Sequence, residues 1–322
     1  MTKSILFFFI MLLVILLPMF GQAQQRPLFT QHFYNKYYDN PAYGGMKRSL
    51  QFDLAYRDQY TTLSGQPSTL YLGFHLPLYK YSGGGGFQMV RHEAGLLQHT
   101  QAAFSYNYVT GLLKGLFSLG GRMGIQHTGV SGDKIVTPEG SYEGTINHND
   151  PLLSTERFYG TGVVWELGAY YLSQKWEAGL MVYDFPQHTM PLGLTHFEKT
   201  SGMVGTATYS VRYNRFILMP NLVFRTDFKE FQSDIGVNVS GLDNLFGGIS
   251  FRGYNKLSVD ALAIIIGTNI GRHYSASYSY DLGLSDLRHV YDGTHEIMLR
   301  YNLNKAIGLG VTPKIIRNSR HL

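Results

Sequence analysis

The chain has 322 residues, of which 44% are hydrophobic and 15% charged, and it contains no cysteine. This composition is too apolar for an intrinsically disordered protein, and the lack of cysteine excludes disulfides, thiolate metal sites and a cysteine nucleophile. A mean hydropathy of −0.10 is incompatible with a bundle of transmembrane helices. The 37 glycines, 24 tyrosines and 20 phenylalanines instead favour strands, because aromatic side chains suit a pleated surface.

The N-terminal segment has the pattern of a secretory signal peptide. Lys3 precedes an apolar run over residues 5–20, and Gly21 and Ala23 are the small residues expected before a cleavage site. The run is short for a helix that spans a membrane, so a retained membrane anchor is the weaker alternative. We therefore expect an exported protein whose mature part begins near Gln24.

The positive charge is concentrated at the C-terminus. The formal net charge is +5, of which Lys3 supplies one unit and the last residues of the chain supply the other four. Those four are Lys305, Lys314, Arg317 and Arg320. Residues 24–303 therefore carry no net charge and offer no clustered basic footprint for nucleic acid, which we do not expect as a partner.

Apolar and polar residues alternate along most of the mature chain, which is typical of strands with two different faces. Leu50, Phe52 and Tyr56 occupy even positions, for example, while Asp53 and Arg57 occupy odd ones. The pattern predicts about fourteen antiparallel strands, with 12–16 as the range, each long enough to cross a bilayer when tilted. They begin near Arg48, Ser68, Gly83, Leu97, Lys114, Arg157, Lys175, Ser201, Arg215, Phe231, Asn244, Ser258, Arg272 and Thr294.

The connections between these strands alternate in length. The longest ones, over residues 129–156 and 185–200, follow odd-numbered strands, whereas every connection after an even-numbered strand is short. Outer-membrane barrels combine short periplasmic turns with longer extracellular loops, while a soluble sandwich has no reason to sort its loops in this way. We therefore predict an all-β protein that forms a transmembrane outer-membrane β-barrel. A secreted soluble all-β protein is the alternative.

The sequence divides into four parts. Residues 1–23 are the signal peptide, residues 24–47 form a leader, residues 48–303 form the barrel and residues 304–322 form a basic tail. The leader does not alternate and contains six aromatic residues: Phe29, Phe33, Tyr34, Tyr37, Tyr38 and Tyr43. A segment this aromatic should not stay in water, so we expect it to plug the barrel mouth or to pack on the periplasmic rim.

The sequence contains no recognised catalytic, metal-binding or cofactor-binding pattern. The 12 histidines are scattered and lack the H-E-x-x-H spacing of a zinc site. The glycine run at 83–86 lacks the P-loop lysine, and the glycines at 160 and 162 precede a strand, where we expect bends or bulges. We predict no enzyme and no cofactor. A surface hydrolase whose Ser–His–acid set assembles in space is the weakest of the functional hypotheses.

Several short blocks along the mature chain occur in an order that suggests one family. They are Pro27-Leu28-Phe29-Thr30-Gln31, Asn40-Pro41-Ala42-Tyr43-Gly44-Gly45, Tyr56-Arg57-x-Gln59-Tyr60, Gln66-Pro67-Ser68-Thr69, Tyr278-x-Tyr280-Asp281 and Gly293-x-His295-Glu296-Ile297-Met298-Leu299. With these blocks the sequence resembles the PorP/SprF proteins, outer-membrane components associated with the type IX secretion system of Bacteroidetes. Each block is short, and the resemblance rests on their joint order.

The resemblance implies a non-enzymatic barrel in the outer membrane lipid that belongs to the secretion and gliding machinery. It implies a partner that is a large secreted adhesin, or other cargo with a type B C-terminal domain, retained at the cell surface. A second partner implied by the resemblance is a periplasmic lipoprotein whose OmpA-like domain binds peptidoglycan.

Two groups of charged residues are candidates for binding such partners. The loop over 129–156 carries an acidic excess that includes Asp133, Glu139, Glu143 and Asp150, although a solvated loop explains this excess equally well. The basic residues of the tail, Lys305, Lys314, Arg317 and Arg320, are the second group. The competing hypothesis is an outer-membrane pore or transporter for a small or hydrophobic solute, because a fourteen-stranded barrel can enclose a lumen.

Overall fold

The computed structural model describes residues 26–150, 155–192, 195–255, 258–285, 288 and 290–307. The predicted signal peptide lies outside these residues. So does most of the predicted tail, including Lys314, Arg317 and Arg320. No helix in the described part of the chain is long and apolar enough to cross a membrane.

The chain forms an antiparallel β-barrel. Its strands are β1 (Gln51–Asp58), β2 (Ser68–Leu78), β3 (Gly83–Ala94), β4 (Leu97–Leu112), β5 (Gly115–Ser131), β6 (Arg157–Ser173), β7 (Trp176–Tyr183), β8 (His188–Leu192), β9 (Thr195–Lys199), β10 (Gly202–Tyr209), β11 (Val211–Tyr213), β12 (Phe216–Thr226), β13 (Phe231–Leu242), β14 (Leu245–Asn255), β15 (Ser258–Ile270), β16 (Tyr274–Gly283) and β17 (Thr294–Asn302).

The barrel is closed by the pairing of its first and last strands, and every other wall strand pairs with its neighbours in sequence. β1 pairs with β17, and β10 pairs with both β7 and β12. The short β11 continues β10 beyond Ser210 and also pairs with β12, so that the two strands occupy one position of a fourteen-stranded wall. Closure pairs the backbone groups that an open sheet edge would leave without partners in lipid.

This architecture confirms the fold class predicted from the alternating pattern. The wall strands begin within a few residues of the predicted starts, and the largest shift concerns the first strand. Arg48 was expected to open that strand but has a φ of 62°, in the left-handed region, so the strand begins at Gln51.

The two faces of the wall have opposite character. Apolar side chains point outward, such as Phe104, Met123 and Ile266, which are 71%, 67% and 60% exposed. Polar side chains point inward and are buried, such as Asp53 and Gln232. An apolar exterior around a polar interior is the arrangement that a barrel in a bilayer requires.

The connections make the two ends of the barrel different. At one end, named here the short-turn end, the connections are 79–82, 113–114, 174–175, 214–215, 243–244 and 271–273. At the other, named the long-loop end, the longer connections are 59–67, 132–156, 184–201 and 284–293. The sorting of loop lengths predicted from the sequence is therefore present in the fold.

The long connection between β7 and β10 contains an element that the sequence pattern missed. It was predicted as a loop, but β8 and β9 form a separate two-stranded hairpin within it. Pro191 interrupts the first of these short strands, so its alternation is too brief to be recognised. The hairpin folds onto the inner face of β6, where Met190 is buried.

The leader lies inside the barrel. It is built from three short helical turns, Thr30–Phe33, Lys36–Asp39 and Pro41–Tyr43, whose residues are nearly all buried. Phe29 and Tyr38 pack edge to face with Tyr71 of β2, with ring centroids 5.9 and 5.3 Å apart. The aromatic side chains of the leader thus form much of the apolar core of the molecule.

Candidate functional site

Residues from five parts of the sequence meet at one buried cluster that fixes the leader to the barrel wall. We name it the anchoring cluster; its members are Thr30, Arg57, Arg252, Asp281 and Glu296, and each is less than 10% exposed. Thr30 belongs to the leader, and the other four come from β1, β14, β16 and β17. All but Arg252 lie within the sequence blocks that suggested the family.

Glu296 holds the backbone of the leader directly. Its carboxylate accepts hydrogen bonds from the backbone N–H of Thr30 at 2.7 Å and of Gln31 at 3.0 Å. Arg57 donates to the same carboxylate at 3.0 Å and to Asp281 at 2.7 Å. The N–H groups of Thr30 and Gln31, at the start of a helical turn, are therefore hydrogen-bonded to a carboxylate whose charge is neutralised by Arg57.

Thr30 joins the two arginines of the cluster. Its hydroxyl donates to Asp281 at 2.7 Å and accepts from Arg57 at 2.6 Å and from Arg252 at 3.1 Å. Arg252 also donates to Asp281 at 3.1 Å. With two arginines and two carboxylates the cluster is balanced in charge, which allows it to be buried.

Further ion pairs extend from the cluster around the barrel interior. Arg252 and Arg225 both contact Asp234, at 3.0 and 2.8 Å, and Arg225 lies 3.8 Å from Asp39 of the leader. On the other side of the leader, four similar contacts tie leader to wall. They are Arg122 with Glu166 and the Tyr37 carbonyl, Arg26 with Glu166, Lys36 with Glu177, and Arg300 with Asp53 and the Tyr34 carbonyl.

The Asn40–Gly45 block packs against glycines in the wall. A Cβ atom added to Gly84 would overlap the Gly44 carbonyl, and one added to Gly168 would overlap the Asn40 side chain. At Gly120 it would lie 2.8 Å from the Ala42 Cα. These glycines of β3, β5 and β6 therefore provide the space in which the leader backbone lies against the sheet.

The bulges predicted at the glycine run 83–86 and at the glycines at 160 and 162 are not present. β3 pairs residue by residue with both of its neighbours through the run at 83–86, and β6 pairs with β5 in the same way. The glycine at 160 instead makes room for the hairpin, because an added Cβ would overlap the Pro191 carbonyl. The predicted bulges are therefore absent, and close approach of other backbone segments accounts for Gly84 and Gly160, one glycine of each group.

Polar contacts fix the same block in place. Asn40 donates to the carbonyls of Ala169 and Leu180 at 2.9 and 3.1 Å, and its side-chain oxygen accepts from the Ala42 N–H at 2.9 Å. The Gly45 N–H donates to Nδ1 of His75 at 3.1 Å. Asn40 thus caps the turn that Pro41 begins and joins it to two wall strands.

The last family block contains His295 and Glu296, and only Glu296 faces the leader. His295 precedes it on β17, so its side chain points to the other face, where Nδ1 lies 2.6 Å from the Tyr278 hydroxyl. Alternation along the strand therefore gives the two neighbours separate environments.

Two cavities lie on either side of the leader. One, of about 250 Å³ at the long-loop end, is lined by Arg26, His99, Tyr183, Phe197 and Lys199, so the hairpin covers it. The burial of Lys199 lowers the pKa of its amine, against the opposing effect of Asp184 at 2.9 Å.

The other cavity, of about 490 Å³, opens at the short-turn end. Its lining includes Tyr34, Lys36, Phe246, Arg272 and Arg300. The leader lies between the two cavities. Arg26 of the leader lines the first cavity and Lys36 lines the second, and both belong to the ion pairs described above.

The candidate partner-binding residues of the long loop are exposed or half-exposed at the long-loop end. Asp133 pairs with Arg157 at 3.2 Å, and the hydrogen bond from that guanidinium lowers the pKa of Asp133. Glu139 lies 3.4 Å from the Asn149 amide, and Glu143 and Asp150 are exposed. Lys305 is exposed just after β17, at the short-turn end, while the other three tail residues lie outside the described part.

Several histidines of the wall contact threonine side chains. His92 lies 2.8 Å from the Thr69 hydroxyl, and His127 lies 3.0 Å from that of Thr161. The residues described by the structure contain no group of three or more His, Cys, Asp or Glu side chains that could hold a metal ion.

Sequence reasoning missed Arg252, Asp234, Arg225 and Arg122 as residues of this site. Each occupies an inward position on a wall strand, where a charged residue is unremarkable beside the other polar positions. The available signal was the accumulation of opposite charges on inward faces. Arg122 and Glu166, like Asp234 and Arg252, lie directly opposite each other on neighbouring strands, so strand register alone pairs them, whereas their contacts with the leader required the fold.

A closed antiparallel barrel with an apolar outer face and a polar interior defines an outer-membrane β-barrel protein. Within that class, the chain belongs to the family described as Type IX secretion system membrane protein PorP/SprF, whose model matches residues 21–301. The resemblance seen in the sequence blocks and the outer-membrane location are thereby confirmed. No functionally curated protein matches the chain.

The chain is similar to several solved outer-membrane proteins at low sequence identity. The toluene transporter TbuX of Ralstonia pickettii is 11% identical, with a TM-score of 0.50, over 82% of this chain and 92% of that one. The toluene transporter TodX of Pseudomonas putida is 10% identical, with a TM-score of 0.46, over 89% and 96%. Omp33 of Acinetobacter baumannii is 7% identical, with a TM-score of 0.44, over 79% and 97%. The likeness to TbuX concerns the fold alone.

The anchoring cluster predicts a large loss of stability for Arg57→Ala. The substitution leaves Asp281 and Glu296 buried with too little positive charge, so we expect the free energy of unfolding to fall by about 3–5 kcal/mol. Urea unfolding of the barrel in lipid, followed by tryptophan fluorescence, measures this loss. Arg91→Ala is the control, because the Arg91–Glu93 pair is 55% and 36% exposed and should contribute less than about 1 kcal/mol. Equal losses in the two variants would contradict the assignment.

The packing of the leader predicts different effects for two adjacent glycines. In Gly120→Ala the new methyl group would lie 2.8 Å from the Ala42 Cα, so we expect a loss of about 1–3 kcal/mol and faster proteolysis of the leader. In Gly121→Ala the nearest atom, Cδ2 of Leu167, is 3.6 Å away, and a change within about 0.5 kcal/mol is expected. Identical proteolysis of the leader in both variants would argue against close packing at Gly120.

Proposed function

We propose that this protein is a non-enzymatic barrel of the type IX secretion and gliding machinery that retains secreted cargo at the cell surface. The cargo we propose is a large adhesin or another protein with a type B C-terminal domain, as the family resemblance implies. The long-loop end faces outward in this proposal, and the short-turn end faces the periplasm.

The observation that carries the proposal is the occupied interior. The leader fills the barrel between the two cavities, and buried charges from β1, β14, β16 and β17 hold it there. A wall so closely tied to its contents suits a rigid scaffold for protein binding. It suits an open diffusion pore less well, since a pore needs a continuous aqueous path.

The long-loop end supplies the surface for cargo in this proposal. The loop over 132–156 belongs to this end, and its acidic residues Glu139, Glu143 and Asp150 are exposed, which suits contact with a basic patch. On the opposite side, Lys305 and the tail are candidates for contact with a periplasmic lipoprotein that has an OmpA-like domain.

The acidic loop predicts a loss of cargo retention when its charge is removed. We expect the variant Glu139→Gln/Glu143→Gln/Asp150→Asn to retain less cargo, because the attraction that brings the partner to the loop is reduced. The measurement is affinity purification from the native host in mild detergent, with quantitative mass spectrometry of the co-purified adhesin.

A matched control uses other acidic residues at the same end. Glu198→Gln/Glu230→Gln/Asp292→Asn removes the same number and type of exposed charges outside the long loop. Retention should remain normal in this control. If both variants retain cargo as well as the wild type, the long loop is not the recognition surface.

The cavities at the two ends favour a second candidate, a pore or transporter for a small or hydrophobic solute. Conductance in planar bilayers separates the two functions. We expect the wild type to carry no steady current, whereas Asp281→Asn/Glu296→Gln, which removes both carboxylates of the anchoring cluster, should produce intermittent opening as the leader loosens. Steady open-channel current from the wild type would favour transport over scaffolding.

A further inference from the structure

Charge is separated along the barrel axis, although residues 24–303 have no net charge. Five of the six connections at the short-turn end carry exposed basic residues in the turn or directly before it, and the sixth carries Asp243. We name this group the basic rim. Its members are Lys80, Lys114, Lys175, Arg212, Arg215 and Arg272. The long-loop end has the opposite excess, including the acidic residues of the loop over 132–156.

Among the described residues, no ion pair involves a member of the basic rim. The ion pairs formed by the described residues lie in the barrel interior, as for Lys36 with Glu177, or at the long-loop end, as for Arg157 with Asp133. A ring of six exposed cations gives this end of the barrel a positive potential that attracts external anions.

Exposed aromatic and apolar side chains accompany these cations. Lys80, Lys175 and Arg212 are each followed directly by an aromatic residue that is 56–66% exposed, namely Tyr81, Trp176 and Tyr213. Leu113, directly before Lys114, is 81% exposed. Tyrosine and tryptophan at the ends of barrel strands lie at the headgroup level of a bilayer, and an apolar turn residue is stable there but costly in water.

We propose that the basic rim binds the phosphate groups of anionic phospholipids in the leaflet around the short-turn end. The cations are distributed around the circumference, as a surrounding lipid annulus requires. A protein partner docked on one side would contact only a part of them. The aromatic rings lie at the membrane interface, and the lysine and arginine side chains extend past them to the phosphates. This site is independent of the cargo proposed above.

The test compares lipids retained by purified protein. Wild-type barrel is equilibrated with mixed micelles of phosphatidylglycerol and phosphatidylcholine in equal amounts, and the bound lipids are counted by native mass spectrometry. The rim variant is Lys114→Gln/Lys175→Gln/Arg215→Gln/Arg272→Gln. The control, Arg91→Gln/Lys134→Gln/Arg157→Gln/Lys229→Gln, removes two lysines and two arginines, exposed residues of the long-loop half. The shift in electrophoretic mobility on heating verifies that each barrel is folded.

We expect the wild type and the control to retain phosphatidylglycerol in preference to phosphatidylcholine, and the rim variant to lose this preference. An unchanged preference in the rim variant would overturn the proposal, and so would an equal loss in the control. A rim variant that keeps its lipid preference but loses an acidic protein in purifications from the native envelope would show that the rim binds a protein instead.

Discussion

The structure depends on one constraint, which is that lipid offers no hydrogen-bond partner to a polypeptide backbone. The sheet must therefore close, as it does where β1 pairs with β17. Closure creates an interior, and the inward positions of the strands are filled with polar and charged side chains. Those charges are stable inside only where each has a partner, and the leader supplies both the bulk and many of the partners.

The leader is consequently part of the fold. Its peptide N–H groups satisfy Glu296, its aromatic rings pack on Tyr71, and its Asn40–Gly45 backbone lies on glycines of the wall. Removal of any one of these contacts leaves buried groups without partners on both sides. This mutual dependence explains why short sequence blocks at opposite ends of the chain are spatial neighbours, and it makes the barrel a rigid support for partners at its two rims.

The wall could be predicted from the sequence because lipid and lumen impose opposite polarity on successive residues of a strand. The hairpin of β8 and β9 could not, because Pro191 breaks a very short alternation. Glu296 belongs to a family block in the sequence, but its hydrogen bonds with the N–H groups of Thr30 and Gln31 could be recognised only in the folded structure. Arg252 and Asp234 lie opposite each other on neighbouring strands, but the contact of Arg252 with Thr30 joins residues 222 positions apart and required the fold.

Labelling of single introduced thiols tests the position of the leader most directly, because the natural chain has no cysteine. Thr30→Cys and Met46→Cys place thiols at buried leader positions, and Lys80→Cys places one at an exposed turn. With a membrane-impermeant maleimide in permeabilised vesicles, the account predicts rapid labelling at position 80 and protection at 30 and 46 until urea is added. Equally rapid labelling at all three positions would contradict a leader held inside the barrel.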